Sequence, residues 1–563
     1  MGLTVRAWAL ASALVVFTGS AIAATEEDRE QGWSKTSIGV DLIHKFTREI
    51  TPCNASPENY LSCVYLVAGM AEMYEPTLSM VPKGIESIYP GIKTKLSSEL
   101  GDLQFVEVQE WGEKVSTMES ARRYRAMTDK IREVSNKMYE SGYRPDFEGI
   151  VEGMLKYVPN KVSRQRAIAS AINKMIRVKD AHGHIDSLAY YEDRSRDADR
   201  QFPGVGVSIS ASDEGAVVDD VFEGSPADMA HLQVNDVVVA ANGVPLKGLS
   251  LEKIVENIRG PEGTEVNLTV QRGSGKDHQL VLPMKRQRVK MENVKFRIVN
   301  DLGQPWAYIK LGSFMDVHAC ESIKGHLQSL KKSAAKGVIL DLRGNPGGEV
   351  DQAVCIAGLF FGQKIVVTQK PVHSGPRQLE LEYISDENQV TDLPLVVLIN
   401  HGSASASELL AGAIRDHQRG WLLGTRTFGK GTVQSGRSWR YDEKPPEILR
   451  FATTHRFYQP SGLTNQIVGI EPDFEIYPRT DLNEEQKFVM REAELVPTAL
   501  PPEGPKWVQT RPRVVASLNS CLAQSQAEQT FNEREKEPVI HHRPDLQLLK
   551  AEELLGCVAQ KGN

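Results

Sequence analysis

Two short apolar runs constrain this chain most: residues 395–399, and then Trp421, Leu422 and Leu423. Each reads as a buried strand, because consecutive apolar residues leave no face for water. Between them lies Gly402-Ser403-Ala404-Ser405-Ala406-Ser407-Glu408, followed by Leu409, Leu410, Ala413 and Ile414 at helical spacing. The segment is therefore a strand–helix–strand unit with its serines at the strand-to-helix turn. A serine there exposes its hydroxyl beside the free backbone amides of a helix N-terminus. The second strand returns the chain towards the glycine-flanked loop Phe428-Gly429-Lys430-Gly431-Thr432-Val433-Gln434. Lys430 follows Ser405 by 25 residues, and such a unit can bring the two into contact with no histidine between them. On physical grounds alone Ser403, Ser405 and Ser407 are equivalent candidates for a nucleophile.

The first 23 residues carry Arg6, an apolar run and Ala21-Ile22-Ala23, the pattern of a cleaved secretory signal peptide. No later segment is long and apolar enough to span a membrane, so the expected location is periplasmic or secreted. The 563-residue chain exceeds one core and implies three or four units. Its net charge of −7, with no basic block, argues against nucleic acid as a partner. None of the six cysteines forms a C-x-x-C, so structural zinc is not expected. In an oxidising compartment Cys53–Cys63 and Cys521–Cys557 are the simplest local pairings, while Cys320 and Cys355 are left either paired or free.

Residues 24–140 read as a mostly helical domain, with 40–50, 61–73 and 120–141 at helical spacing, and 141–198 as a helical lead-in. His182 and His184 stand in Asp180-Ala181-His182-Gly183-His184, which lacks acidic or histidine partners at helical spacing and reads as structural. Asp341 and Arg343 read as a structural pair at the end of the apolar run 337–342. Prolines 497, 501, 502 and 505 read as a linker, and 481–563 ends in two helices with one cysteine each.

The segments together resemble the C-terminal processing peptidases, also called tail-specific proteases, over roughly residues 145–480. In that family a lysine follows the serine nucleophile by 25 positions and a glutamine follows the lysine by four, and Ser405, Lys430 and Gln434 match. The resemblance, not the physics, selects Ser405. Arg343-Gly344-Asn345-Pro346-Gly347-Gly348 matches the family's glycine turn, which implies an oxyanion hole from Gly347 or Gly348 together with Ala406. Residues 199–288 resemble a PDZ domain, a module that captures a peptide C-terminus by strand addition. Gly204, Val205, Gly206 and Val207 are its candidate carboxylate cradle. The implied fold is α/β, a ClpP/crotonase-like peptidase domain at 289–480 with the PDZ domain inserted and helical extensions at both ends. The implied activity is a serine endopeptidase with a Ser–Lys dyad and no cofactor, acting on proteins with accessible apolar C-termini. An adaptor or a second copy of the chain is a further candidate partner. The Ala181 and Gly183 positions depart from the family's Asp-Pro-His-Ser-like turn. Two rival readings are a Ser-His-Asp hydrolase using His401 or His417 with Asp416, and an inactive tail-binding scaffold. The first lacks the G-x-S-x-G elbow, because position 406 is Ala.

Overall fold

The computed structural model describes residues 30–561 apart from 31, 75–77, 92, 111–116, 159–161, 192–200, 213, 223, 234–235, 248, 250, 273–278, 291–292, 373–378, 441–446, 480–481, 483–486, 488, 490, 497–498, 505–511, 524–525 and 536–544. The expected signal peptide lies outside the described residues. Among those described, no helix is long and apolar enough to cross a membrane.

Helical spacing in the N-terminal part yields the helices Pro57–Tyr74, Thr117–Glu140, Phe147–Leu155 and Arg164–Arg177. Side-chain caps start the last two: Asp146 accepts from Gly149 N and Ser163 Oγ accepts from Arg166 N. Leu66, Met70, Ile131, Phe147, Ile168 and Ile172 share one core, so packing runs straight through the expected boundary at 140. The region is also less helical than its sequence suggested. An antiparallel sheet of Leu78–Pro82, Lys93–Leu100 and Leu103–Glu110 lies within it, with the last strand central. Its signal was the alternation of buried Leu103 and Phe105 with half-buried Gln104, after a turn at Gly101 with φ +62°. A short period-two run of this kind is easily lost between long helices.

The inserted unit is a five-strand path in the order Gln279–Lys285, Glu265–Gln271, Val237–Ala241, Gly215–Val221, Val207–Ser212, with Val244–Pro245 pairing alongside. Val266, Leu268 and Val270 point into its core while Glu265 and Asn267 face water. The helix Leu251–Ile258 packs against the edge strand Val207–Ser212. Gln201–Gly204 pairs antiparallel with Gln287–Lys290, so the unit enters and leaves through a single two-stranded neck.

The main sheet runs Val294–Val299, Trp306–Leu311, Val338–Asp341, Leu395–Ile399, Trp421–Gly424, Phe474–Glu475. Its first pair is antiparallel and the rest are parallel, and Leu395–Ile399 is buried throughout. One face carries the helices Ala319–Ser329, Val350–Phe361 and Ala406–Asp416. On the other face Leu518, Leu554 and Leu555 pack on Ile339, Val396, Leu398 and Leu423. The C-terminal helices Pro512–Leu522 and Leu546–Lys561 are thus the second layer of the core, joined by Cys521–Cys557. Cys53–Cys63 is bonded as well, and Cys320–Cys355, left open by the sequence, ties Ala319–Ser329 to Val350–Phe361. A second sheet contains Ile365–Pro371, Leu381–Ile384, Thr432–Trp439 and Ile448–Tyr458. His184–Ser187 pairs with Ile448–Tyr458 and brings the 180–184 turn to the neighbour of Thr432–Trp439, the strand that follows Lys430.

Candidate active site

The parallel strands Val338–Asp341 and Leu395–Ile399 are neighbours, so the loops at their C-terminal ends meet. The first is the glycine turn and the second is the serine turn. Asn345, fully buried, fastens one to the other: its backbone carbonyl accepts from Ala404 N (3.0 Å) and Ser407 Oγ (2.8 Å). Its side chain donates to Leu311 O and accepts from Gly347 N, each at 2.9 Å. A Cβ on Gly347 would stand 2.8 Å from the Ser405 Cβ and 2.9 Å from Ala406 N, so only glycine lets the turns approach this closely.

The three serines differ in what their hydroxyls do. Ser403 Oγ donates to Leu342 O (2.8 Å) and accepts from Asn400 N (3.0 Å), while Ser407 Oγ donates to Asn345 O. Both side chains are buried. Ser405 is half-buried at the head of Ala406–Asp416, with φ 54° and ψ −114°. A non-glycine residue there stores roughly 1–3 kcal/mol of strain that the surroundings must hold.

Glu408 supplies much of that hold. It is fully buried, and its carboxylate receives four donors: Thr427 Oγ1 (2.6 Å) and Gly429 N (2.8 Å) on Oε1, Ser405 N and Lys430 N (2.9 Å each) on Oε2. One oxygen therefore grips the backbones of both residues of the expected pair. Burial pushes this carboxyl up to about 7, against the donors that favour its charged form. Lys430 is half-buried, and burial lowers its pKa while Glu492, Glu408 and Asp180 oppose the shift. Its Nζ donates to Gln434 Oε1 at 2.6 Å. Gln434 Nε2 donates to Thr432 Oγ1 (3.0 Å) and Thr453 Oγ1 (3.1 Å), and Thr453 donates through both N and Oγ1 to Asp180. Among the described residues no hydrogen bond joins Ser405 Oγ to Lys430 Nζ.

Two N–H groups beside Ser405, those of Gly348 and Ala406, donate to no acceptor among the described residues, whereas the Gly347 N–H is occupied by Asn345. Asp341 and Arg343 form a buried ion pair, as expected, at the base of the glycine turn. Arg343 also pairs with Asp545 and donates to Gln547 Oε1 (2.9 Å), and Tyr308 OH donates to Asp341 (2.8 Å). The histidine rival finds no support in the geometry. His417 is hydrogen-bonded to Ile365 O, Asp416 pairs with Arg415 and Ser461, and neither these nor His401 bonds a serine of the turn. His182 bonds Glu492, and His184, which burial holds down to about 4, stacks on Phe451.

Gly204–Val207 join the neck to the first strand of the inserted unit. Gly206 has φ +82°, and a Cβ there would overlap Ser225. The Val205 and Gly206 carbonyls accept from Ala227 N and Phe222 N, while their own N–H groups donate to no described acceptor.

Sequence reasoning missed Glu408, Asn345, Asp180, His182 and Glu492 as parts of the site. Only Glu408 had a signal, since Ser405-Ala406-Ser407-Glu408 has the capping-box spacing. The others are set by long-range contacts.

Residues 305–476 match the model of peptidase family S41, and 195–271 match that of the PDZ domain. The chain is 33% identical over 320 residues to a carboxy-terminal-processing protease of Bartonella bacilliformis, covering 55% of this chain and 69% of that one. It is 30% identical over 309 residues to a "Probable CtpA-like serine protease" of Staphylococcus haemolyticus, covering 54% of this chain and 59% of that relative. Among solved structures, a photosystem II D1 C-terminal processing protease aligns over 62% of this chain and 93% of its own, at 25% identity and a TM-score of 0.39. With the PDZ match at 195–271, the architecture described above is α/β with an inserted PDZ domain.

Proposed function

The chain belongs to peptidase family S41 and is a serine-type protease, and on that footing we propose that Ser405 and Lys430 form its catalytic dyad. The observation that carries this is the division of labour among the serines: Ser403 and Ser407 spend their hydroxyls on carbonyls, and Ser405 does not. Ser405 Oγ attacks the scissile carbonyl while neutral Lys430 Nζ takes its proton. The developing oxyanion is received by the N–H groups of Gly348 and Ala406, each such donor worth roughly 2.7–4 kcal/mol. Lys430 then protonates the leaving amine, and water releases the acyl group by the reverse sequence. Gln434 orients Nζ through its 2.6 Å hydrogen bond. The serine–lysine hydrogen bond forms on substrate binding, as catalytic hydrogen bonds often tighten only in the working complex.

Substrates are proteins with accessible apolar C-termini, processed or degraded in the periplasm or outside the cell, where the 1–23 signal would deliver the enzyme. The terminal carboxylate is held by the N–H groups of Val205 and Gly206, and the tail adds as a strand to Val207–Ser212. Peptides with a free apolar C-terminus and their C-terminal amides, each incubated with wild type, Ser403→Ala, Ser405→Ala and Ser407→Ala, test both parts. Only Ser405→Ala is expected to lose turnover, by about 10³-fold or more, and the amides should show raised KM. Wild-type turnover by Ser405→Ala would refute the nucleophile, and equal KM for acid and amide would refute carboxylate capture.

A further inference from the structure

Beyond the S41 match the chain returns to the site. The helical turn Glu492–Leu495 rests on the lysine loop, where Glu492 N donates to Phe428 O (3.1 Å). Val496 packs against Ala404 and Phe428, which precede Ser405 by one residue and Lys430 by two. The Glu492 side chain is 0% exposed. Its Oε1 meets His182 Nε2 at 2.8 Å and Gln466 Nε2 at 3.4 Å, while Oε2 has no hydrogen-bond partner among the described residues. Gln466 Oε1 in turn accepts from Gly431 N (2.7 Å), the residue after Lys430. A carboxylate so enclosed is costly unless a positive group lies within its field.

Lys430 lies within that field. Among the acids that hold its charged form, Glu492 contributes most, ahead of Glu408 and Asp180. The titratable and charged groups facing Lys430 are Glu408 from the serine helix, Asp180 and His184 from the 180–184 turn, and Glu492 from the tail turn, with His182 bonded to Glu492. Arg491 on that same turn faces Glu408. Burial keeps His184 neutral above about 4, so Glu492 and the other two acids set the field at Nζ.

We propose that Glu492, from the segment beyond the S41 match, is a positioning residue for Lys430: with His182 and Gln466 it fastens the tail turn over the lysine loop and sets the charge that Nζ meets. The inference rests on the Ser405–Lys430 reading. It also gives the departure at Ala181 and Gly183 a context, since the turn that carries His182 is shaped to meet a partner from the tail.

The test is kcat/KM against pH, on a peptide with a free apolar C-terminus, for full-length wild type, Glu492→Gln, Glu492→Asp and Lys430→Arg. Removing the negative charge disfavours the ammonium form, so neutral lysine is populated at lower pH. The rising limb of Glu492→Gln is expected about one unit below that of wild type. The amide oxygen still accepts from His182 and Gln466, so a melting curve close to wild type is expected too. Glu492→Asp keeps the charge, and its limb should stay with wild type even if Glu492→Gln fails to fold. A Glu492→Gln limb that coincides with wild type, or a Glu492→Asp limb displaced downward, overturns the proposal while leaving the dyad intact. An active Lys430→Arg instead overturns the dyad itself.

Discussion

The two halves of the site are built on opposite electrostatic plans. The glycine turn stands on charge: Asp341 is paired with Arg343, which Asp545 holds from the C-terminal helix. Arg343 keeps Asp341 below its ordinary range against the cost of burial. The serine and lysine loops stand on hydrogen bonds to a buried carboxyl with no ion-pair partner among the described residues, and burial pushes Glu408 up to about 7. An ion pair with several partners gives a platform indifferent to neutral pH. A lone carboxyl with four donors gives a junction that responds to it. Stabilised charge thus serves the part that must not move, and a titratable group serves the part that joins Ser405 to Lys430.

The comparison breaks most severely if the anchor of the glycine half is removed. Deleting residues 512–561 strips one face of the main sheet and exposes Ile339, Val396, Leu398 and Leu423. Each such side chain contributes roughly 1.5–3 kcal/mol by burial, and native stability totals only about 5–15 kcal/mol. The truncated chain is expected to lose its cooperative melting transition, read by circular dichroism. A folded truncation would show that the C-terminal helices are an appendage.

A smaller effect separates the halves. Glu408→Gln keeps the size of the side chain but puts an amide nitrogen against two of the four donors. Misplacement of about 1 Å costs on the order of 10²-fold in rate, so kcat/KM should fall by about 10² while Asp341, Arg343 and the sheet remain in place. The sign of the pH response follows from the direction of each shift. Glu408 is protonated as pH falls through about 7, its Oε oxygens can then no longer take all four donors, and activity drops. Its raised pKa favours the folded state below the unfolded value near 4.5, an advantage lost as pH rises through about 7, so the fold is not weakened by that acidification. Asp341, with its pKa lowered, keeps its contribution until pH falls through that lowered value. Wild type at pH 6 should therefore be less active yet as well folded as at pH 8. Near-wild-type turnover by Glu408→Gln would remove the junction role.

What the sequence disclosed follows the same division. Leu395–Ile399, the serine turn and the Lys430 loop lie within one local unit, so periodicity and spacing placed them. The glycine turn was legible through its resemblance to the family's motif, and the structure supplies the reason for its glycine, since Gly347 lets two backbones approach. The N-terminal sheet was not, because its strands are short runs beside long helices with stronger periodicity. The tail was read as a linker from its prolines, yet Leu500 O accepts from Gln466 and Glu503 pairs with Arg456. Such contacts span 34 and more residues and leave no local pattern. For the same reason Asp180, His182 and Glu492 reach the lysine without a sequence signal.

The central claim is that a lysine, and no histidine, is the base. Burial lowers Lys430 from its ordinary value, so kcat/KM should rise with pH along a limb below the usual lysine range near 10.5. The direct measurement is that profile for wild type, Lys430→Arg, His401→Ala and His417→Ala on one peptide substrate. Lys430→Arg keeps the charge but cannot deprotonate, so it should be folded and without measurable turnover, while both histidine variants keep the limb. An active Lys430→Arg, or a limb that disappears with His401 or His417, would contradict the account.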